Sequence, residues 1–262
     1  NFRRKSIMKT NPDRKLLIIA NGPSLKQDIK RIKLIHHSCD IFAVNSFANY
    51  EYFGEIKPNF YFFFDAQYWS NKVNAKLIDN RNNLFSKIRN IDWDMEIICA
   101  EEGFEKIKTI FKNNNYIKVT KVKNKSRNFK LENVHRFALM NNLCTPNFGR
   151  GVLILALWYG IFMNKKDIEI YGADFSQFKE MEVDQKTNEI YLNQNHFYKT
   201  IDGQKKNELK YKNQKERKIH ERLFYLSVMF KQMYLLSEIA KNKGLKIVNY
   251  SSESYLDCFP RP

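Results

Sequence analysis

The sequence predicts an α/β fold with an open, mostly parallel sheet and helices on its faces. Three observations lead there. Short, almost wholly apolar runs of five or six residues recur along the chain, each ends near Asn, Gly, Asp or another small residue, and stretches with helical spacing fill the intervals. Runs so short and so apolar suit strands buried on both faces, which is the condition of a parallel sheet.

Taken in order, Lys15 to Ala20 (KLLIIA) is the first strand. It runs into the turn Asn21-Gly22-Pro23-Ser24, with Ser24 expected as N-cap of a helix opening near Leu25. Asp40 to Val44 (DIFAV) closes at Asn45-Ser46, Phe60 to Phe64 (FYFFF) closes at Asp65, and Glu96 to Ala100 makes a fourth strand. In the centre, Asn147-Phe148-Gly149-Arg150-Gly151 precedes a solidly apolar helix from Val152 to Met163. Asp167 to Tyr171 (DIEIY) is then a strand ending at Gly172-Ala173-Asp174-Phe175. From Ser176 to Lys218 the chain is polar and rich in Lys, Asn and Gln, yet carries Tyr191, His196, Phe197, Tyr198 and Tyr211, the pattern of a lid-like insertion. Glu221 to Lys241 returns to helical periodicity with Gly244 as its C-cap, and Leu245 to Asn249 is a last strand. With no internal repeat and no linker, 1–262 reads as a single domain carrying the 176–218 insertion.

Composition narrows the function. Lys and Arg number 45 against 28 Asp and Glu, a formal +17, which favours an anionic ligand, an anionic membrane face or a nucleic acid as partner. Hydrophobic residues at 43% exclude a mainly disordered chain. No apolar window approaches the ~18 residues of a membrane-spanning helix. Asn1 stands where an initiator Met would, and no signal-peptide pattern follows, so a truncated start is expected. The four cysteines are scattered without CxxC or metal-ligand spacing and read as small buried hydrophobes of a reducing compartment.

Candidate chemistry gathers at strand ends. The Asn21-Gly22-Pro23-Ser24 turn offers close backbone approach and helix-start amides to an anion. It lacks the GxGxxG and GxxxxGK[ST] patterns of dinucleotide folds and P-loops. Gly149-Arg150-Gly151 is a second anion candidate, its guanidinium suited to a bidentate phosphate or carboxylate contact. Asp65 and Asp174, each after an apolar strand, can accept from hydroxyls or a base amide. Of five histidines, His36 and His37 are expected to be solvated, His135 has no acidic neighbour, and His196 and His220 are the candidates for a general base. No zinc spacing is present, and neither a metal nor a cofactor is expected. The basic run from Lys199 to Arg222 suits a solvated face or a surface docking on anionic headgroups.

On the residues LIIANGPSL (Leu17 to Leu25), FAVNSF (Phe42 to Phe47), the strand ending at Asp65, the glycine turn near Gly149 and YGADF (Tyr171 to Phe175), the chain resembles the bacterial sialyltransferases of glycosyltransferase family 42. The wider superfamily also holds motility-accessory glycosyltransferases and a pterin pyrophosphokinase group with a similar NGPS turn. The resemblance implies a single Rossmann-like domain, a GT-A-like variant of the sialyltransferase type with a C-terminal lid. It further implies metal-independent, inverting transfer from a CMP-sugar. Carried over by motif, Asn21 touches the nucleotide phosphate, Asn45 joins it from the second strand end, and Asp174 helps read the cytidine. The nucleotide-binding set is completed by Gly22, Pro23, Ser24, Gly149, Arg150, Gly151 and Gly172. Asp65 stands where the family has asparagine, Arg150 where it has serine, Asn147 where it has arginine, and Ser176 where it has tyrosine. Tyr191 and Tyr198 are then candidates to grip the phosphate or touch donor and acceptor. His196 fits the family base best, with His220 as the alternative.

The resulting expectation is a bacterial transferase moving an acidic sugar, sialic acid or Kdo-like, from a CMP-sugar donor to a hydroxyl of a surface glycan or glycolipid acceptor, in capsule or lipopolysaccharide synthesis. Its place would be cytoplasmic, peripheral on the inner face of the cytoplasmic membrane, with self-association into a homo-oligomer left open. A pterin-type pyrophosphokinase using ATP and Mg is the second reading. A nucleic-acid binder ranks last, because polar residues gather at strand ends rather than along one basic stripe.

Overall fold

The computed structural model describes residues 11–73, 75–125, 144–146, 151–179, 181–186, 190–192 and 219–262. Eight strands make one sheet: β1 Leu16–Ile19, β2 Asp40–Val44, β3 Phe60–Phe63, β4 Met95–Ala100, β5 Ile117–Lys125, β6 Cys144–Pro146, β7 Asp167–Tyr171 and, last in the chain, β10 Lys246–Asn249. Their order is β10-β7-β1-β2-β3-β4-β5-β6, and every pairing is parallel. β8 Met181–Val183 and β9 Ile190–Leu192 form a separate antiparallel pair inside the 176–218 segment.

The apolar runs become strands because parallel pairing buries both faces. Leu16 and Ile18 face one core, Leu17 and Ile19 the other, and all four are fully buried. The first core is closed by α5 (Val152–Phe162) and α6 (Ile219–Asn242), the second by α1 (Leu25–Ile35), α2 (Phe53–Ile56), α3 (Ala75–Arg89) and α4 (Phe104–Phe111). Every residue of α5 from Leu153 to Ile161 is buried, as its unbroken apolar sequence requires. β2 and β7 span the residues that the sequence predicts, and the other four predicted strands differ at their ends by a residue. β5 escapes the apolar-run criterion because lysines interrupt it. Its Lys118 and Thr120 instead engage Glu96, a fully buried carboxylate at the second position of β4. His36 corrects the expectation of a solvated residue: it is buried, and desolvation lowers its pKa. His37 beside it is exposed.

The chain builds β1 to β6 outward in one direction and then returns to place β7 on the other side of β1. The carboxyl ends of β7 and β1 therefore flank the point where strand order reverses, the usual place for a ligand crevice in open α/β sheets. Those ends are held unusually close. A methyl group on Gly22 would lie 2.5 Å from both the Gly172 carbonyl oxygen and Asp174 Cγ, so only glycine fits.

A polar cluster around the buried Glu169 and Tyr171 ties β7 to α1 and β1 below this point. Glu169 accepts from Lys15 at 2.5 Å and from the Tyr171 hydroxyl, while Arg31 Nε donates to that hydroxyl at 2.9 Å and its guanidinium lies 4.1 Å above the Tyr250 ring. Burial alone would raise the Glu169 pKa. The hydrogen bonds from Lys15 and Tyr171, with the charges of Lys15 and Arg31, outweigh burial and hold it below its ordinary range.

A carboxyl depressed in the fold stabilises it above the ordinary carboxylate range, and that stabilisation fades as pH falls through the depressed value. Glu169→Gln is therefore expected to cost about 2 kcal/mol at pH 7 in urea denaturation, with the gap to wild type narrowing below about pH 4. An equal gap at pH 3 and pH 7 would count against a charge-based role. Gly22→Ala should cost about 1–3 kcal/mol by overpacking; a variant as stable as wild type would show that the two strand ends can separate freely.

Candidate functional site

Because β7, β1, β2 and β3 are neighbours, their carboxyl ends bring Gly172–Asp174, Asn21–Ser24, Asn45 and Asp65 along one edge. Within that row the structure builds a tight clamp. Ser24 donates its backbone N–H to Asp174 Oδ2 at 3.0 Å and its hydroxyl to Asp174 Oδ1, while Gly22 N–H donates to the Gly172 carbonyl at 2.8 Å. Asp28, in the first turn of α1, accepts from Gly172 N–H at 3.1 Å and from Ser252 N–H at 2.9 Å. The closing loop completes it: Ser251 Oγ accepts from Ala173 N–H at 2.8 Å and Ser254 Oγ donates to the Ala173 carbonyl at 2.6 Å.

Two expectations are corrected by this geometry. Ser24 sits at the start of α1 but in helical dihedrals, and its hydroxyl makes no capping bond because Asp174 takes it. Nor are the helix-start amides open to an anion. Those of Ser24, Leu25, Lys26 and Gln27 go to Asp174 Oδ2 and to the carbonyls of Gly22, Pro23 and Ser24. Both oxygens of Asp174 are thus committed to Ser24, and the space freed by Gly22 is filled by Asp174 and Gly172.

Burial raises the pKa of Asp174, and the Asp28 charge adds to this, against the lowering effect of the Ser24 bonds. Burial likewise raises Asp28 against the backbone bonds from Gly172 and Ser252. Asp28 and the Ser251–Ser254 loop carry no signal in the sequence that separates them from an ordinary helix-start acid and a polar tail.

Two side-chain carbonyl oxygens along this edge have no hydrogen-bond partner among the described residues. Asn21 Nδ2 donates to the Val44 carbonyl at 2.9 Å, which fixes its orientation and leaves Oδ1 buried without a partner. Asn45 Oδ1, on the adjacent strand end, is also buried and unpartnered. Asn45 adopts φ +50°, Gly172 φ +63° and Phe175 φ +53°. A left-handed backbone at a bulky residue such as Phe175 costs on the order of 1–3 kcal/mol and is concentrated at functional sites.

The remaining predicted residues scatter. Asp65 is exposed and caps a local turn by accepting from Gln67 N–H at 3.1 Å. Gly151 and Ser176 are partly exposed beside α5 and β7, and His220 is exposed in the first turn of α6. Tyr191 lies on β9, with its side chain outside the described part. Asn147, Gly149, Arg150, His196 and Tyr198 lie outside the described residues. Among the described residues no group of three or more His, Cys, Asp or Glu is placed to hold a metal ion, and no helix is long and apolar enough to cross a membrane.

Comparison with known proteins follows the same lines. The MAf glycosyltransferase from Magnetospirillum magneticum AMB-1 superposes with a TM-score of 0.55 at 11% identity, over 97% of this chain and 34% of that one. This chain thus spans about a third of that protein's length, and the likeness at this identity is one of fold. No curated protein matches. The family model that matches is 6-hydroxymethylpterin diphosphokinase MptE-like, over residues 2–180, and the chain belongs to this MptE-like family.

Proposed function

We propose that the chain is a nucleotide-dependent glycosyltransferase whose crevice at the ends of β7, β1 and β2 receives the nucleotide of an activated sugar. The observation that carries this reading is the pair of buried, unpartnered acceptors Asn21 Oδ1 and Asn45 Oδ1 at the point where strand order reverses. A buried acceptor left unsatisfied costs about 1–3 kcal/mol, so the site calls for a ligand that brings N–H or O–H donors. Ribose hydroxyls and an exocyclic base amino group are such donors.

In its finer form the reading is a CMP-sugar donor carrying an acidic sugar, transferred without a metal and with inversion to a hydroxyl of a glycan or glycolipid. Cytosine presents an amino donor, and an anionic donor and acceptor suit a +17 chain. In this scheme His196 takes the acceptor proton as general base, with His220 as alternative. The same charge supports peripheral placement on an anionic cytoplasmic membrane face. A second reading, ATP-dependent pyrophosphoryl transfer to a pterin, is favoured by the name of the matching family.

Thermal denaturation with CMP, CDP, UDP, GDP and ATP, each with EDTA and with magnesium, separates the two. CMP at about 100 times its Kd should stabilise the native state by about 2.7 kcal/mol, a rise of roughly 5 to 10 °C, unaffected by EDTA. Asn45→Gly keeps the left-handed backbone while removing the acceptor, and should weaken CMP about tenfold with little change in the ligand-free melting temperature. A rise with ATP alone, and only with magnesium, would favour the diphosphokinase reading. No rise with any nucleotide would contradict both.

A further inference from the structure

We infer that Arg222 is an anion-binding residue of this crevice, contacting a phosphate or carboxylate of the substrate; the inference rests on the crevice being the substrate site. Residue 222 lies beyond the family match, and in the sequence it is only the last member of a basic run.

Both α5 and α6 lead into parallel strands, β7 and β10, so each helix runs from the carboxyl edge of the sheet to its amino edge. Their far ends are level, since Lys243 Nζ donates to Asn164 Oδ1 at 3.0 Å. α6 has 24 residues and α5 has 11, so α6 projects about 20 Å beyond the first turn of α5. Phe230 meets Phe175, next to Asp174, with ring centroids 5.5 Å apart. Arg222 is eight residues earlier, about 12 Å farther out along the helix axis.

Arg222 shares a helix face with Leu226, Met229 and Met233, which are buried. It is itself only 8% exposed. Its Nε has no hydrogen-bond partner, and among the described residues no carboxylate pairs with it. Among the described residues the Tyr225 ring is its neighbour, 5.2 Å from the guanidinium carbon. Nε is the guanidinium nitrogen that is sealed off without a partner; a guanidinium cannot relieve that cost by losing its proton, and an anion at its fork would offset it. Phosphate and carboxylate both match its planar fork. Unpartnered buried atoms recur around the same edge, at Asn21 and Asn45, at Gln177 just past β7, and at Gln232 and Arg222 on α6.

Thermal denaturation of wild type, Arg222→Met and Arg222→Lys with inorganic pyrophosphate, N-acetylneuraminate and cytidine tests the assignment. Ligand-free Arg222→Met should melt at or above the wild-type temperature, because an uncompensated charge has been removed. At least one of the two anions should stabilise wild type, with apparent affinity at least tenfold weaker in Arg222→Met and partly kept in Arg222→Lys, while cytidine binds all three alike. Dependence confined to pyrophosphate assigns the phosphate of the donor, and dependence confined to N-acetylneuraminate assigns a sugar carboxylate. The inference is overturned if neither anion stabilises wild type, if anion affinity survives in Arg222→Met, or if that variant melts well below wild type or does not fold. An Arg222-dependent anion effect without any cytidine effect would keep the inference and remove the nucleoside from the proposed function.

Discussion

Asp174 receives both the backbone N–H and the hydroxyl of Ser24, and the rest of the site hangs on that double contact. It joins the carboxyl end of β7 to the turn that follows β1, two strands far apart in sequence and adjacent in the sheet. The contact is possible only because Gly22 has no side chain and Gly172 takes a left-handed turn. It also carries an electrostatic cost. Burial disfavours the charge on Asp174, and Asp28 stands close enough to add repulsion. Backbone donors from Gly172 and Ser252 on Asp28, and the Ser24 donors on Asp174, offset that cost. The edge is thus pre-shaped by internal polar bonds, and the ligand does not have to organise it.

This arrangement changes what the NGPS turn means physically. A glycine before a helix start suggests an open cradle of amides for a phosphate. In this fold the amides are closed by the turn's own carbonyls and by Asp174, so the turn is a structural joint. The acceptors left over are the side-chain oxygens of Asn21 and Asn45, which seek donors and not an anion. The anion contact we infer lies farther out, at Arg222 on the projecting half of α6.

Much of the fold was legible because parallel strands are apolar on both faces. β1, β2, β3, β4, β7 and β10, with α5 and α6, all announce themselves by unbroken or helically spaced apolar residues. β5 did not, since lysines alternate along it near the sheet's edge, and Glu96 hid its own burial inside an apolar run. For the site, the row of strand ends was readable from turn residues alone. Which polar atoms are spent within the protein was not. Ser24 reads as a helix cap and is instead a partner of a residue 150 positions away. Asp28 and Ser251 act through contacts between chain segments that no local pattern encodes.

A crystal structure of the protein grown with CMP tests this arrangement directly. A ribose hydroxyl or the cytosine amino group should lie within hydrogen-bond distance of Asn21 Oδ1 and Asn45 Oδ1, with the Asp174–Ser24 contact intact. A nucleotide seated away from the ends of β1 and β2, or one whose phosphate displaces Asp174 from Ser24, would contradict it.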